Sequence, residues 1–138
     1  MPKDTATRNA ISVVQGVYEA FGGGDVPAIL ALCAPDMSWE VVGPAGGYPL
    51  WQAFHGPEGG VAFFTAIAAN ETFSEFTVRE IHDAGEVVTV LGHAAYTLTR
   101  TGKAVDTDFI HLFRVRDGKA VSFREFSDTA QVAAAYVG

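Results

Sequence analysis

The chain has 138 residues, 49% of them hydrophobic and 18% charged, a composition too apolar for disorder and about one domain long. Nine basic residues against sixteen acidic ones give a net charge of -7, which sets nucleic acid aside as a partner because its approach is repulsive at long range. The single cysteine, Cys33, excludes an internal disulfide, residues 1–8 are polar, and no apolar run is long enough to span a bilayer, so a cytoplasmic protein without membrane attachment is expected.

Ile11, Val14, Tyr18 and Phe21 recur at steps of three and four, a helical stripe that Gly22-Gly23-Gly24 ends. Asp25 is a good N-cap with Pro27 in the first turn behind it. Ile29, Leu30 and Leu32 give this second, short helix an apolar face, Pro35 stops it, and Cys33 falls in its core. Met37, Trp39 and Val41 then alternate with Ser38 and Glu40, a brief strand with Trp39 and Val41 on one side and Glu40 on the other. From 42 to 56 the breakers Gly43, Pro44, Gly46, Gly47 and Pro49 predict a long loop. It also carries Tyr48, Trp51 and Phe54, so it either closes over a site as a lid or plugs the end of the domain. Pro57 and Glu58 open a third helix, with Val61, Phe64 and Ala68 on one face and Phe63 and Ile67 beside it, ending near Asn70.

The second half holds four extended segments, 73–82, 86–100, 104–115 and 119–127, separated by Asp83-Ala84-Gly85, Thr101-Gly102 and Asp117-Gly118. They exceed the usual strand length of about five or six residues, so this meander should curl, with a bulge near Gly92. Asp128 caps a last short helix, 129–136. The fold class is α+β: one domain over residues 1–138, in which a cone-shaped, curved antiparallel sheet wraps around the N-terminal helices.

Segregation of apolar residues sets the register, because a one-residue slip moves every side chain to the other face. A three-residue turn at Arg116, Asp117 and Gly118 puts Phe109, His111, Phe113, Val115, Val121, Phe123 and Glu125 on the inner face. A two-residue turn at Thr101-Gly102 adds Val88, Val90, Gly92, Ala94, Tyr96 and Leu98, sets Gly92 opposite His111 and sends His93 outward. Glu125 and His111 become diagonal neighbours in a wall otherwise formed by Trp39, Val41, Phe64, Tyr96, Phe109 and Phe123. Burial raises a carboxyl pKa and a neighbouring imidazolium lowers it, so such a pair can hold a proton that moves near neutral pH, the requirement for general acid-base catalysis. Four scattered histidines without i, i+4 spacing predict no metal, and the glycine runs at 22–24 and 59–60 lack the strand-turn-helix context of a phosphate loop, so no cofactor is expected. On the outer face Ile110, Leu112 and Phe126 form an apolar patch whose default reading is a homodimer interface.

The order of elements and two strings, VYEAFGGGDVPAILALCAPDMSWEVVGP and HLFRVRDGKAVSFREFSD, resemble the superfamily of nuclear transport factor 2 and ketosteroid isomerase, the second string its polyketide-cyclase, or SnoaL-like, branch. The resemblance covers nearly the whole chain. It implies that Glu125 stands where polyketide cyclases carry their catalytic Asp and limonene-epoxide hydrolases one acid of their site, and that His111 stands where ketosteroid isomerases carry a protonated Asp in the oxyanion hole. The isomerases' base position is Val41 here, their helix-one Tyr matches Val17 or its neighbourhood with Tyr18 one position off, and the Arg-x-Asp of the epoxide hydrolases does not occur. Two functions follow as expectations. One is an isomerase or cyclase acting next to a carbonyl of a small apolar substrate, with Glu125 moving a proton and His111 donating to the oxyanion. The other is a non-catalytic module holding an apolar ligand in the same cone.

Overall fold

The computed structural model describes residues 9–138; residues 1–8, read above as a polar start, lie outside the described residues. Helix α1 spans Ala10–Gly22, capped by the Asn9 side chain on the Ser12 N–H, and α2 spans Val26–Ala31, capped by Asp25 on the Ala28 N–H. The chain turns directly from α2 into strand β1, Cys33–Val41, so Cys33 opens a strand and lies half-buried, not in a helix core. Pro35 is accommodated because the β1–β6 register is irregular between Cys33 and Ser38. A three-residue strand, β2 (Ala53–His55), forms inside the segment expected to be all loop and leads into α3, Gly56–Asn70. Phe63 is the most deeply buried apolar side chain of α3, whereas Val61, assigned above to its apolar face, is 49% exposed.

The meander follows as β3 (Glu71–Ala84), β4 (Val87–Leu98), β5 (Ala104–Arg116) and β6 (Lys119–Ser127), and α4 (Thr129–Tyr136) ends the chain behind its Asp128 cap. The sheet order is β2-β1-β6-β5-β4-β3. All neighbours are antiparallel except β1 and β6, whose parallel pairing closes the N-terminal part of the chain onto the last strand and sets Val41 beside Glu125. The sheet is curved and unclosed, and α1 and α3 lie in its hollow, with Val13, Val14, Val17 and Phe63 packed on Trp39, Val88, Val90, Phe113 and Phe123 in one core cluster. Register shifts at Ser74 and Arg79 bulge β3 against β4, the second beside Gly92, where the sequence predicted one.

Both hairpin turns differ from expectation while the faces survive. Asp117 and Gly118 (φ 53° and 76°) form a two-residue turn, not a three-residue one, and a bulge at Val121 between the Val115–Ala120 and Arg114–Ser122 pairs restores the odd-with-odd facing. Ala120 therefore takes the buried inner position, and Val121 is only half-buried. The β4–β5 connection is longer than Thr101-Gly102, because Thr97 already pairs with Ala104; relative to the expected register β5 slips by two residues, which keeps every side chain on its face. Gly92 consequently sits opposite Phe109 instead of His111, and it leaves no empty space. A Cβ there would lie 2.3 Å from Phe109 Cζ and 2.4 Å from the Thr77 carbonyl oxygen.

Candidate functional site

The inner face of the sheet, α1, α3 and the 42–52 loop enclose a cavity of about 60 Å³. One water needs roughly 10–15 Å³ of such volume, so this is room for about four waters. A ring-bearing ligand must displace wall side chains, among which Phe21, Phe64, Phe73 and Phe76 are half-buried. Trp39, Val41, Phe64, Tyr96, Phe109, His111, Phe123 and Glu125, the eight residues singled out from sequence, all line it. Trp39 sits among Phe63, Phe64 and Phe123 at ring separations of 5.1–5.3 Å, and its indole N–H is buried without a partner.

His111 and Glu125 are direct cross-strand partners on β5 and β6, closer than the diagonal placement expected, because the two-residue turn and the bulge at Val121 each move β6 along by one residue. His111 Nε2 lies 3.0 Å from Glu125 Oε1, and its Nδ1 lies 2.6 Å from the hydroxyl of Tyr18 on α1. Burial, and after it the Glu125 charge, push the Tyr18 pKa well up, so the phenol keeps its proton and donates it to Nδ1. These partners assign the tautomer in which Nε2–H donates to the carboxylate. Phe109 stacks on the imidazole at 4.1 Å, held there by the contact with Gly92, Phe123 tilts against it at 4.7 Å, and the Tyr18 ring lies edge-on and nearly coplanar with it at 5.9 Å. Both ring nitrogens are therefore engaged by protein groups, which leaves none for the oxyanion contact expected of His111. The His111 side chain is 4% exposed and that of Glu125 27% exposed, so the outermost member of the line Tyr18–His111–Glu125 is the carboxylate.

A second carboxyl lines the same cavity. Glu71 is both the C-cap of α3 and the first residue of β3, and the Tyr48 hydroxyl donates to its Oε2 at 2.8 Å. Burial, then the negative charge of Glu125, push its pKa up to about 8, with the Tyr48 bond acting in the opposite sense. Tyr48 and Tyr96 are both raised, chiefly by burial and next by the Glu71 carboxyl, and remain phenols. Among the described residues no lysine or arginine lines the cavity. The 42–52 loop is packed: Tyr48, Leu50 and Trp51 are buried, and Trp51 lies so close over Gly43 and Gly47 that a Cβ at Gly43 would come within 2.4 Å of its ring.

The SnoaL-like domain family matches residues 14–123, about four-fifths of the chain. The chain belongs to that family. Among solved structures, this SnoaL-like protein is similar to an NTF2-like protein from Burkholderia thailandensis at 29% identity and a TM-score of 0.85, covering 95% of this chain and 99% of that one. TerC, crystallised with polyporic acid, is 25% identical with a TM-score of 0.81 over 93% of this chain and 98% of its own. A SnoaL-like polyketide cyclase from Jannaschia, at 18% identity and a TM-score of 0.78 over 100% and 99% of the two chains, shares the fold. No curated protein matches in sequence.

In this SnoaL-like chain, sequence reasoning missed Tyr18 and Glu71. Tyr18 figures in the sequence as a member of the α1 stripe and as one position off the isomerases' helix-one Tyr, although a phenol in an otherwise aliphatic and Phe-lined stripe signals a buried hydroxyl in need of a partner. Glu71 fell in the gap between a helix expected to end near Asn70 and a strand expected to start at 73, where a carboxylate looks like solvated linker. The remaining histidines lie elsewhere. His93 faces outward, its Nδ1 2.7 Å from Asp108 and its Nε2 on Asp106, and His55 and His82 are exposed. Among the described residues no helix is long and apolar enough to cross a membrane.

Proposed function

We propose that this SnoaL-like protein is an acid-base enzyme of the isomerase or cyclase kind, acting next to a carbonyl of a small, mostly apolar substrate. The observation that carries the reading is the hydrogen-bonded line Tyr18–His111–Glu125, which ends on a carboxylate in an aromatic cavity. The Glu125 carboxylate removes a proton from the carbon α to the carbonyl, leaving an enolate. The resulting carboxylic acid returns that proton to another carbon in an isomerisation; in a cyclisation the enolate carbon attacks a second carbonyl and the proton goes to the new alkoxide. His111 and Tyr18 are positioning residues: they fix the carboxylate's rotamer, and the Nε2–H steadies its charge. Trp39, Val41, Phe64, Tyr96, Phe109 and Phe123 shape the cavity around the reacting carbon, and the reading invokes no cofactor. The crystallisation of TerC with polyporic acid supports a small organic molecule as the ligand.

The test needs no knowledge of the natural substrate. Acetophenone incubated in D2O exchanges its α-protons, and NMR follows the loss of the methyl signal. The protein should accelerate this exchange and Glu125→Gln should return it to the buffer rate. A binding module holding the same ketone gives no acceleration in either form, an outcome that rejects the enzymatic reading.

The proposal extends to a cytoplasmic protein working as one domain over residues 1–138 and pairing as a homodimer through the outer sheet face. Ile110 and Phe126 are cross-strand partners there, 44% and 37% exposed, beside Leu112. Leu112→Glu should yield monomers in sedimentation velocity, and an unchanged association state would reject that interface.

A further inference from the structure

The mechanism above uses one of the two carboxyls in the cavity. Glu71 has no task in it, yet its surroundings are built. It stands at the C-terminal end of α3, where the helix dipole is negative and disfavours a carboxylate. Among the described residues the groups that face it are Tyr48 from the 42–52 loop, Tyr96 from β4 and Glu125 from β6, none of them a cation, and none that lines the cavity is a lysine or arginine. Tyr48 donates to Oε2, and no described residue hydrogen-bonds the other oxygen. A proton on Glu71 therefore sits on Oε1 as a donor lacking a protein acceptor, in a wall otherwise made of rings.

We propose that Glu71 and Tyr48 form a second polar subsite of the cavity, in which Glu71, as an uncharged carboxylic acid, donates a hydrogen bond to an acceptor oxygen of an uncharged ligand. The inference deepens the proposed function, since it shares the cavity of that reading. It goes beyond it in specifying the ligand: a carbonyl or similar acceptor is selected, an anionic carboxylate is repelled by Glu125, and an ammonium finds an acid that holds its proton. The pKa of Glu71, pushed up to about 8 by burial and by Glu125, agrees with that geometry. Above that pH the donor becomes a second buried carboxylate, and the subsite turns from a donor into an acceptor.

Three probes with one apolar body separate the possibilities: acetophenone, benzylamine and benzoate, each titrated at pH 7 by NMR shifts of the cavity residues. Acetophenone should bind at least about tenfold tighter than the other two, the worth of about one hydrogen bond. Glu71→Gln supplies an amide N–H in place of the acid and should weaken acetophenone by no more than about threefold. Glu71→Leu should weaken it by about tenfold. Raising the pH from 7 to 9.5 should weaken acetophenone for the native protein and leave Glu71→Gln unmoved. Tighter binding of benzylamine, or unchanged acetophenone affinity in Glu71→Leu, would overturn the proposal. If none of the three binds, the carboxyl carbon resonance of Glu71 decides: a midpoint near 8 supports an uncharged acid at neutral pH, and one in the ordinary carboxylate range of about 4–5 rejects it. That titration uses no substrate, so its outcome is independent of whether Glu125 abstracts protons.

Discussion

On β6, Glu125 accepts a hydrogen bond from an imidazole that is itself held by a phenol and stacked on Phe109; where α3 runs into β3, Glu71 accepts a hydrogen bond from the Tyr48 phenol and has a helix C-terminus beside it. One residue type thus occupies two opposite settings within one cavity. The first supplies a donor to the carboxylate and leaves it partly open, the arrangement of a base. The second withdraws water, adds the dipole and sets another negative charge nearby, the arrangement of an acid kept neutral. Environment, not residue identity, divides the proposed roles.

Substitutions can break this contrast. The largest effect is expected from Glu125→Gln, which keeps the shape and removes the base: α-proton exchange should fall by about 10²–10⁴-fold, the usual worth of a general base, measured by NMR in D2O. Glu71→Gln should act on stability instead. Native Glu71 titrates near 8 against 4.5 in the unfolded chain, so between these values the folded state binds the extra proton and stability falls as pH rises from about 5 to 8. The native protein should lose on the order of 3 kcal/mol relative to Glu71→Gln across that window, read by urea denaturation at each pH. Parallel profiles would show that Glu71 is ionised in the folded state.

Gly92→Ala tests the setting of His111 from behind. Its Cβ would collide with the Thr77 carbonyl, a backbone atom, and with the Phe109 ring that stacks on the imidazole. A loss of about 2 kcal/mol is expected, the cost of overpacking a filled site, together with slower exchange. Unchanged unfolding would mean that β3 moves away freely. Tyr18→Phe is milder. It keeps the ring packing and leaves Nδ1 without its donor, for about 1 kcal/mol of stability and a shifted pH profile of exchange. A profile identical to the native one would reduce Tyr18 to packing.

Much of the fold was legible because alternation along β4, β5 and β6 is strong enough to fix the faces even when both turns are misjudged. An error of two residues along a strand preserves facing, which is why Tyr96, His111 and Glu125 fell on the inner wall although Gly92 was set against the wrong partner. Pairings between distant segments were not legible. Nothing local in Met37, Trp39 and Val41 says that β1 runs parallel to β6, nor does anything in the glycine- and proline-rich 42–52 segment say that Trp51 fills the space over Gly43 and Gly47. Cys33 was misplaced because Leu32 and Cys33 continue the apolar face of α2 past its end at Ala31. Of the site, the β-strand members could be read from register. Tyr18 on α1 and Glu71 at the junction of α3 and β3 owe their chemistry to the α1 and 42–52 segments packed on the sheet, which is a tertiary fact.

The division of labour between the two carboxyls is tested most directly by acetophenone α-proton exchange in the two isosteric variants, side by side at pH 7. Glu125→Gln should exchange at the buffer rate, while Glu71→Gln should keep exchange within about tenfold of the native protein, because its amide still donates to the carbonyl oxygen. Native-like exchange in Glu125→Gln, or an equal collapse in both variants, would contradict it.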